Sequence, residues 1–273
     1  MDLKVVRYDA ADRVATITLS RPERMNTWTG RMHVEYRWAL AQADADPTVR
    51  VIVVTGEGRA FCAGADARAL EGHIEKGGYD SGIREEPAKP GFGVRPEFDA
   101  SFAYQFGIGK PIIAAINGPA AGVGLVIACF ADIRFAAARA KLTTAHGKLG
   151  LPAEYGLSWL LPRIVGLSHA NDMLLSSRVV LAEEAEKMGL VNAVLPPEEL
   201  MSHTYAYARE LATRVSPSSM RETKWQVYTD QHRDAASAVT ASEALLDRMT
   251  RESEYREGVR AFVEKRLPDW DAR

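Results

Sequence analysis

The hydrophobic positions at the start of the chain change from a strand pattern to a helical one. Residues 4–19 contain two short β-like runs separated by a polar, turn-forming stretch, which predicts an opening hairpin. Residues 28–43 are rich in helix-forming residues, and their apolar side chains recur at helical spacing. A strand pair followed by an amphipathic helix is therefore the expected beginning of the fold.

The middle of the chain repeats a pattern of strand, turn and helix. Residues 51–54 and 112–116 are apolar throughout and end at glycine-containing turns, as is typical of strands covered on both faces. A helix rich in small residues is predicted at about 122–130, and further strands are predicted at 133–136 and 141–144. This alternation predicts an α/β core with crossover connections.

The pattern becomes helical from residue 182 onwards. The predicted helices span 182–189, 197–214, 217–230, 234–250 and 253–266. Glycines and prolines interrupt the stretch 77–100, which is predicted to be an irregular loop. That loop is either a tolerated surface insertion or a lid or pocket wall.

Composition and charge exclude several classes of protein. The chain has 273 residues and a formal charge of −2, so it lacks the basic footprint of a nucleic-acid-binding protein. Its two cysteines, Cys62 and Cys129, cannot form a disulfide framework and fit a reducing compartment. The N-terminus does not resemble a secretion signal. We therefore expect a cytoplasmic protein.

One uncharged segment, residues 111–131, is long enough to cross a membrane as a helix. Asn117, Gly118 and Pro119 lie together near its middle, and this triplet is typical of a turn between two short buried elements. No membrane span is therefore predicted.

Several common chemical motifs fail on spacing. Residues 56–61 begin like a dinucleotide fingerprint but place Phe61 where the last glycine belongs. Residues 156–160 lack the second glycine of a nucleophile elbow. No paired Cys-x-x-Cys or His-Glu-x-x-His is present, so we predict neither a metal nor a nicotinamide cofactor.

Two glycine-containing turns, residues 59–66 and 117–124, each follow a predicted strand. Small residues there let a ligand approach the backbone, and the first N–H groups of a following helix point outward. Side by side, the two turns would form an oxyanion hole able to stabilise an enolate. Either turn alone is more often purely structural.

Taken in order, the motifs of the chain resemble the enoyl-CoA hydratase/isomerase (crotonase) superfamily. The matching segments are 20–26, 53–56, 61–66, 110–118, 131–134, 161–166, 185–192 and 256–266. The resemblance implies a crotonase-like spiral of repeated β-β-α units over 1–195. It also implies a C-terminal helical region over 196–273 that mediates homotrimers, commonly paired into hexamers.

The resemblance further implies an acyl-CoA thioester substrate, as in fatty acid metabolism, with coenzyme A as part of the substrate and no separate cofactor. The backbone N–H groups of Ala65 and Val123 would hold the carbonyl oxygen. The positions that match coenzyme A contacts are Arg24, Ala63, Asp66 and Arg68, with Phe262 and Lys265 reaching a neighbouring subunit's coenzyme A. The alternative for Arg24 and Lys265 is that they are solvated surface cations. The alternative for Phe262 is that it only takes part in helix packing.

Both catalytic glutamates of the family hydratases are absent here. Val126 occupies the first position and His146 the second, so a water held between two carboxylates is not available. Histidine is a competent general acid or base, and His146 is the candidate proton-transfer residue. Glu154, or less favourably Tyr155, could orient the imidazole or take a second proton-transfer role.

These departures leave three functions open. The first is an acyl-CoA enzyme of the hydratase/isomerase type, that is, a lyase or an isomerase. It would use Ala65, Val123 and His146. The second is hydrolysis of a carbon–carbon bond in a β-diketone on the same fold. The third is a non-catalytic acyl-CoA-binding protein.

Overall fold

The computed structural model describes residues 1–77 and 94–271. The strands in these residues are β1 (Val6–Ala11), β2 (Val14–Leu19), β3 (Val51–Gly56), β4 (Ile112–Ile116), β5 (Ala120–Ala121), β6 (Ile133–Ala137), β7 (Lys141–Thr143), β8 (Val180–Leu181) and β9 (Ala193–Leu195). They form a six-stranded sheet in the order β1-β2-β3-β4-β6-β9 and a three-stranded sheet in the order β5-β7-β8. The predicted hairpin is confirmed, because β1 and β2 pair antiparallel.

The helices in the described residues are α1 (Gly30–Ala45), α2 (Ala67–Lys76), α3 (Tyr104–Gly107), α4 (Val123–Cys129), α5 (Leu157–Ser176), α6 (Ala182–Lys187), α7 (Leu200–Arg214), α8 (Pro217–Asp230), α9 (Ala235–Met249) and α10 (Ser253–Glu264). The last five match the predicted C-terminal helices to within a few residues. Short 3₁₀ turns lie at Pro22–Arg24, Pro96–Phe98, His146–Leu149 and Glu154–Gly156.

The β-β-α repeat is visible along the chain. A strand of the main sheet is followed by a shorter extended segment, which contributes to a second layer, and then by a helix. In one unit β4 leads to β5 and α4, and in the preceding unit β3 leads to an extended segment around Cys62 and then to α2. The strands β2, β3, β4, β6 and β9 are parallel to one another, which requires the crossover connections predicted from the sequence.

Two layers of apolar side chains cover the main sheet. All residues of β3 and β4 are buried, as their uninterrupted apolar runs predict. α1 packs on one face through Met32, Tyr36 and Leu40, and α7 packs on the other. Because α7 belongs to the predicted oligomerisation region, that region also completes the core of this chain.

The structure corrects two boundaries. α1 begins at Gly30, because the side chain of Thr29 caps it by accepting a hydrogen bond from the N–H of Met32. Trp28 is therefore extended and not helical. The change to a helical pattern begins at α5, before residue 182. Pro162 and a kink at Gly166, where φ is 76° and ψ is 161°, interrupt the spacing that would have revealed this helix.

The turn predicted within the uncharged segment 111–131 is present. The uncharged segment 111–131 folds as β4, β5 and α4, with the turn at Asn117 and Gly118 between the strands. Among the described residues, no helix is long and apolar enough to cross a membrane. Most of the loop predicted at 77–100 lies outside the described residues, and its final part contains the 3₁₀ turn Pro96–Phe98.

Candidate active site

The two glycine-containing turns are hydrogen-bonded to each other. The N–H of Cys62 donates to the carbonyl oxygen of Pro119 at 3.1 Å, and the N–H of Ala121 donates to the carbonyl oxygen of Cys62 at 3.0 Å. The next N–H along, that of Gly122, donates to Thr143 of β7 at 3.0 Å. The short second layer of the spiral thus brings the two turns together, as the sequence predicted.

The amides of Ala65 and Val123 are left without acceptors. Trp28 donates to the carbonyl oxygen of Gly64 at 2.8 Å and accepts from the N–H of Asp66 at 3.0 Å, a parallel bridge that does not use the amide of Ala65. Val123 is the first residue of α4, where N–H groups have no partner within the helix. Across the described part of the chain, neither N–H donates to a protein acceptor. Both are thus available to a ligand, and their convergence on one oxygen stays a prediction.

Gly122 is a point at which several segments of the site meet. Its backbone has φ of 49° and ψ of −120°, a conformation that disfavours a side chain. A Cβ atom at this position would lie 3.5 Å from Oε2 of Glu154, and 4.0 Å from both Cα of Gly64 and the carbonyl oxygen of Thr144. The carboxyl group of Glu154 therefore lies beside the turn that leads into Val123.

His146 lies close enough to Glu154 to act on its carboxyl group electrostatically. Burial raises the pKa of Glu154, and the nearby positive charge of His146 partly offsets this by lowering the same pKa. The His146 side chain is buried, and its Nδ1 has no hydrogen-bond partner in the part of the chain that the structure describes. An unpartnered imidazole nitrogen within electrostatic reach of a partly buried carboxyl group is available for proton transfer.

The backbone on both sides of this pair is strained. Ala145, which precedes His146, has φ of 60°, and Tyr155, which follows Glu154, has φ of 46°. Both conformations lie in the left-handed region that non-glycine residues rarely adopt. Such strain costs about 1–3 kcal/mol and persists where surrounding structure enforces it, commonly at functional sites.

Val126 and Cys62 are excluded from proton transfer, the first by its side-chain chemistry and the second by its surroundings. Val126, at the position of a family glutamate, is fully buried in the core within α4. Cys62 is also fully buried, and burial raises the pKa of its thiol to about 12. Cys62 is therefore a packed thiol and not a nucleophile, as the sequence indicated.

Four of the predicted coenzyme A contacts belong to one region of the surface. The N–H of Ala63 donates to the carbonyl oxygen of Met25 at 3.0 Å, which holds the turn of Arg24 against the first glycine turn. Arg24 and Arg68 are exposed there and available to a ligand.

Asp66 is differently placed, because the protein itself uses its carboxylate. The carboxylate accepts hydrogen bonds from Arg21 at 3.0 Å, from the hydroxyl of Thr27 at 3.1 Å and from the N–H of Arg68 at 3.1 Å. These contacts lower its pKa and overcome the opposing effect of partial burial. Asp66 therefore fixes the shape of the turn, and any contact with coenzyme A stays a prediction.

The predicted intersubunit residues lie at the end of α10. The Phe262 side chain is 84% exposed, and Lys265 caps the helix in a left-handed conformation. Within residues 1–77 and 94–271, no hydrogen bond or ring contact links them to the glycine turns. This placement is compatible with reaching a second subunit, which stays a prediction.

The sequence interpretation missed an aromatic wall beside the site. Phe102 contacts Trp28, with ring centroids 5.7 Å apart, and Tyr155, with centroids 4.9 Å apart. Trp28 also forms the backbone bridge to Ala65 described above. The available signal was Thr29, a residue type that favours a helix N-cap and would have placed Trp28 outside the helix.

The chain is similar to known proteins over almost its whole length. The family model for enoyl-CoA hydratase/isomerase matches residues 9–273. A protein of Mycobacterium tuberculosis named as a probable enoyl-CoA hydratase is 37% identical over 262 residues, covering 93% of this chain and 88% of the relative. The 1,2-epoxyphenylacetyl-CoA isomerase of Escherichia coli is 34% identical over 260 residues, covering 94% of each chain.

Solved structures show the same fold. The crystal structure of a probable enoyl-CoA hydratase/isomerase from Mycobacterium abscessus superposes with a TM-score of 0.82 at 30% identity, covering 98% of each chain. An enoyl-CoA hydratase from Bacillus anthracis gives a TM-score of 0.85 at 25% identity, with 99% of this chain and 100% of the other covered. The chain therefore belongs to the enoyl-CoA hydratase/isomerase family and has the crotonase fold.

Proposed function

We propose that the protein catalyses proton transfer at a carbon activated by the carbonyl group of an acyl-CoA thioester. The amides of Ala65 and Val123 bind the carbonyl oxygen and stabilise the negative charge that develops on it. Glu154 and His146 are the two groups that remove and return protons. This is isomerase- or hydratase-type chemistry carried out without the two family glutamates.

The observation that carries the proposal is the position of the Glu154 carboxyl group. It lies 3.5 Å from the Cβ position of Gly122, the residue immediately before Val123, and within electrostatic reach of His146. A base held beside an oxyanion site can take a proton from the carbon next to the carbonyl. Partial burial raises the pKa of Glu154, which strengthens it as a base.

The names of the relatives support the same class of substrate. Both enoyl-CoA hydratase and 1,2-epoxyphenylacetyl-CoA isomerase denote enzymes of coenzyme A thioesters. Loss of both family glutamates favours isomerisation over hydration as the main reaction, because the paired carboxylates that hold the attacking water are missing. Val126 in particular can neither accept nor donate a proton.

The direct test is incubation of the purified protein in D₂O with saturated, 2-enoyl and 3-enoyl thioesters. Mass spectrometry measures deuterium uptake and water addition, and ultraviolet absorbance follows movement of the double bond. We expect exchange or isomerisation, with a rate that falls about 10²- to 10⁴-fold in Glu154→Gln. His146→Gln is expected to lower the rate as well.

Exposed residues of the same types supply matched controls. Glu198→Gln and His169→Gln change equivalent side chains on the surface and are expected to leave the rates unchanged. Thioester binding without any exchange, in the wild type and all variants, would favour the binding-protein alternative. Turnover of a β-diketone with no effect on any thioester would favour carbon–carbon bond hydrolysis.

A further inference from the structure

Tyr155 and Gly156, the two residues that follow Glu154, line part of a large cavity. Its volume is about 610 Å³, within the range of small-molecule sites. The aromatic residues around it are Phe98, Phe106, Phe130, Tyr155, Trp159 and Tyr228. Because Tyr155 is also part of the wall beside the glycine turns, the cavity adjoins the candidate active site.

The walls of this cavity are held rigidly. Phe106 stacks on Tyr228 with centroids 3.6 Å apart, and it contacts Phe130 at 5.0 Å. The hydroxyl of Tyr228 donates to Asp132 at 2.8 Å, which fixes that ring. A rigid lining of this kind selects its occupant by shape, in contrast to a flexible aliphatic pocket.

The charges around the cavity favour an uncharged occupant. No lysine or arginine belongs to its lining in the described residues, and the titratable side chains there other than the two tyrosines are Glu97 and His232. His232 stacks on Trp159 at 5.5 Å, and the guanidinium of Arg163 covers the same indole ring at 4.2 Å. Among the described lining residues, the phosphates of coenzyme A therefore find no cationic partner, whereas an apolar group finds apolar walls.

We propose that this cavity receives the acyl group of the thioester and that it selects acyl groups carrying an aromatic ring. The inference rests on the proposed function, because the carbonyl must be held at the glycine turns for the acyl group to reach Tyr155. An alkyl chain gains only apolar burial from these walls. An aromatic ring also gains edge-to-face contacts, which correspond to about 3- to 10-fold in affinity.

The ligands that test this are three unreactive or slowly reacting thioesters with equal numbers of acyl carbons: phenylacetyl-CoA, cyclohexylacetyl-CoA and octanoyl-CoA. Titration calorimetry on the full chain measures each dissociation constant. We expect phenylacetyl-CoA to bind about 3- to 10-fold more tightly than either of the others. Equal or tighter binding of octanoyl-CoA would overturn the proposal.

Two variants test whether the preference for phenylacetyl-CoA arises in this cavity. Trp159→Leu removes one aromatic wall, and we expect it to abolish the preference for phenylacetyl-CoA. Ser101→Trp fills the cavity from an exposed lining position, so it leaves the packed core unchanged and is expected to weaken all three ligands. Trp270→Leu, which removes an indole outside the cavity, is the matched control.

Acetyl-CoA separates failure of this inference from failure of the proposed function, because its acyl group is too short to enter the cavity. Deuterium exchange into acetyl-CoA by the wild type therefore tests the chemistry at the glycine turns independently of the cavity. A phenylacetyl preference that is lost in Trp159→Leu supports the cavity assignment even if no exchange occurs. Exchange without any preference, or with a preference that Trp159→Leu retains, contradicts it.

Discussion

A Cβ atom on Gly124 would lie 2.1 Å from the carbonyl oxygen of Cys62. This distance is far shorter than any real contact of a Cβ atom, so the first turn of α4 rests directly on the backbone of the other glycine turn. Val123 precedes Gly124, and Ala65 lies in the same turn as Cys62. We therefore expect this backbone contact to set the distance between the two amides.

Gly124→Ala is expected to separate the turns. The added methyl group meets backbone atoms that cannot rotate away, so we expect a stability loss of about 1–3 kcal/mol. Displacing one amide is expected to lower turnover about 10²- to 10³-fold, as for loss of one oxyanion-hole donor. Denaturant unfolding and steady-state kinetics measure the two effects.

Gly72→Ala is the control for that substitution, since a Cβ on Gly72 of α2 meets no atom within 4 Å. Alanine favours a helix over glycine, so this variant should be as stable as the wild type or slightly more so. Full activity in Gly124→Ala would show that the spacing of the turns does not matter.

The pH dependence of turnover should report the ionisation of Glu154. Burial raises its pKa, so the acid limb of the profile of kcat/KM is expected above the ordinary value of 4.5. The charge of His146 lowers the pKa of Glu154, and His146→Gln should therefore move that limb to higher pH. If the acid limb lies at the same pH in His146→Gln as in the wild type, His146 does not lower the pKa of Glu154.

Stability should depend on pH through His33. Burial is the main cause that lowers its pKa to about 4, and the charge of Arg37 adds to the effect. The unfolded chain therefore binds a proton near pH 6.5 that the folded chain does not, and stability falls as pH decreases from about 6.5 to 4. The loss is at most about 1.4 kcal/mol per pH unit.

His33→Phe keeps a ring between Trp28 and Phe102 but removes the group that takes up the proton. The stability of this variant should therefore decrease less than that of the wild type as the pH falls from about 6.5 to 4. Urea unfolding at several pH values between 4 and 8 measures it, with the exposed His169→Phe as control. An identical slope in the wild type and His33→Phe would show that His33 does not resist protonation.

A buried ion pair should be important for folding. Nζ of Lys224 lies 2.9 Å from Asp132 and also donates to the carbonyl oxygens of Gln105 and Lys110, with only 5% of its side chain exposed. Lys224→Met leaves the carboxylate and two carbonyl groups without their partner. We expect a loss of about 3–5 kcal/mol in the free energy of unfolding.

The exposed residue Lys187 of α6 supplies the control, because Lys187→Met removes a solvated charge. Its effect should be close to zero, as is usual for surface substitutions. If Lys224→Met is as stable as the wild type, the pair is replaceable by apolar packing.

The features that the sequence predicted correctly depend on local pattern. The hairpin of β1 and β2, the buried strands β3 and β4, and the two glycine turns follow from apolar periodicity and turn residues over a few positions. α5 was missed because Pro162 and the kink at Gly166 interrupt its periodicity. Local pattern also did not place Trp28, whose conformation depends on its bridge to Ala65.

The proton-transfer residues illustrate a different limit. The position of His146 could be matched to a family motif, but the proximity of Glu154 to Gly122 depends on the positive φ of Tyr155 and on the packing of its ring against Phe102. Such contacts between distant segments have no signature in one sequence. The cavity next to Tyr155 has none either, because its rings come from several separate elements.

The most direct measurement is a crystal structure of the protein with an unreactive acyl-CoA thioester. We expect the carbonyl oxygen within about 3 Å of the amide nitrogens of both Ala65 and Val123. The Glu154 carboxyl group should face the carbon next to that carbonyl. A carbonyl oxygen that contacts neither amide, or a thioester bound elsewhere on the protein, would contradict the account.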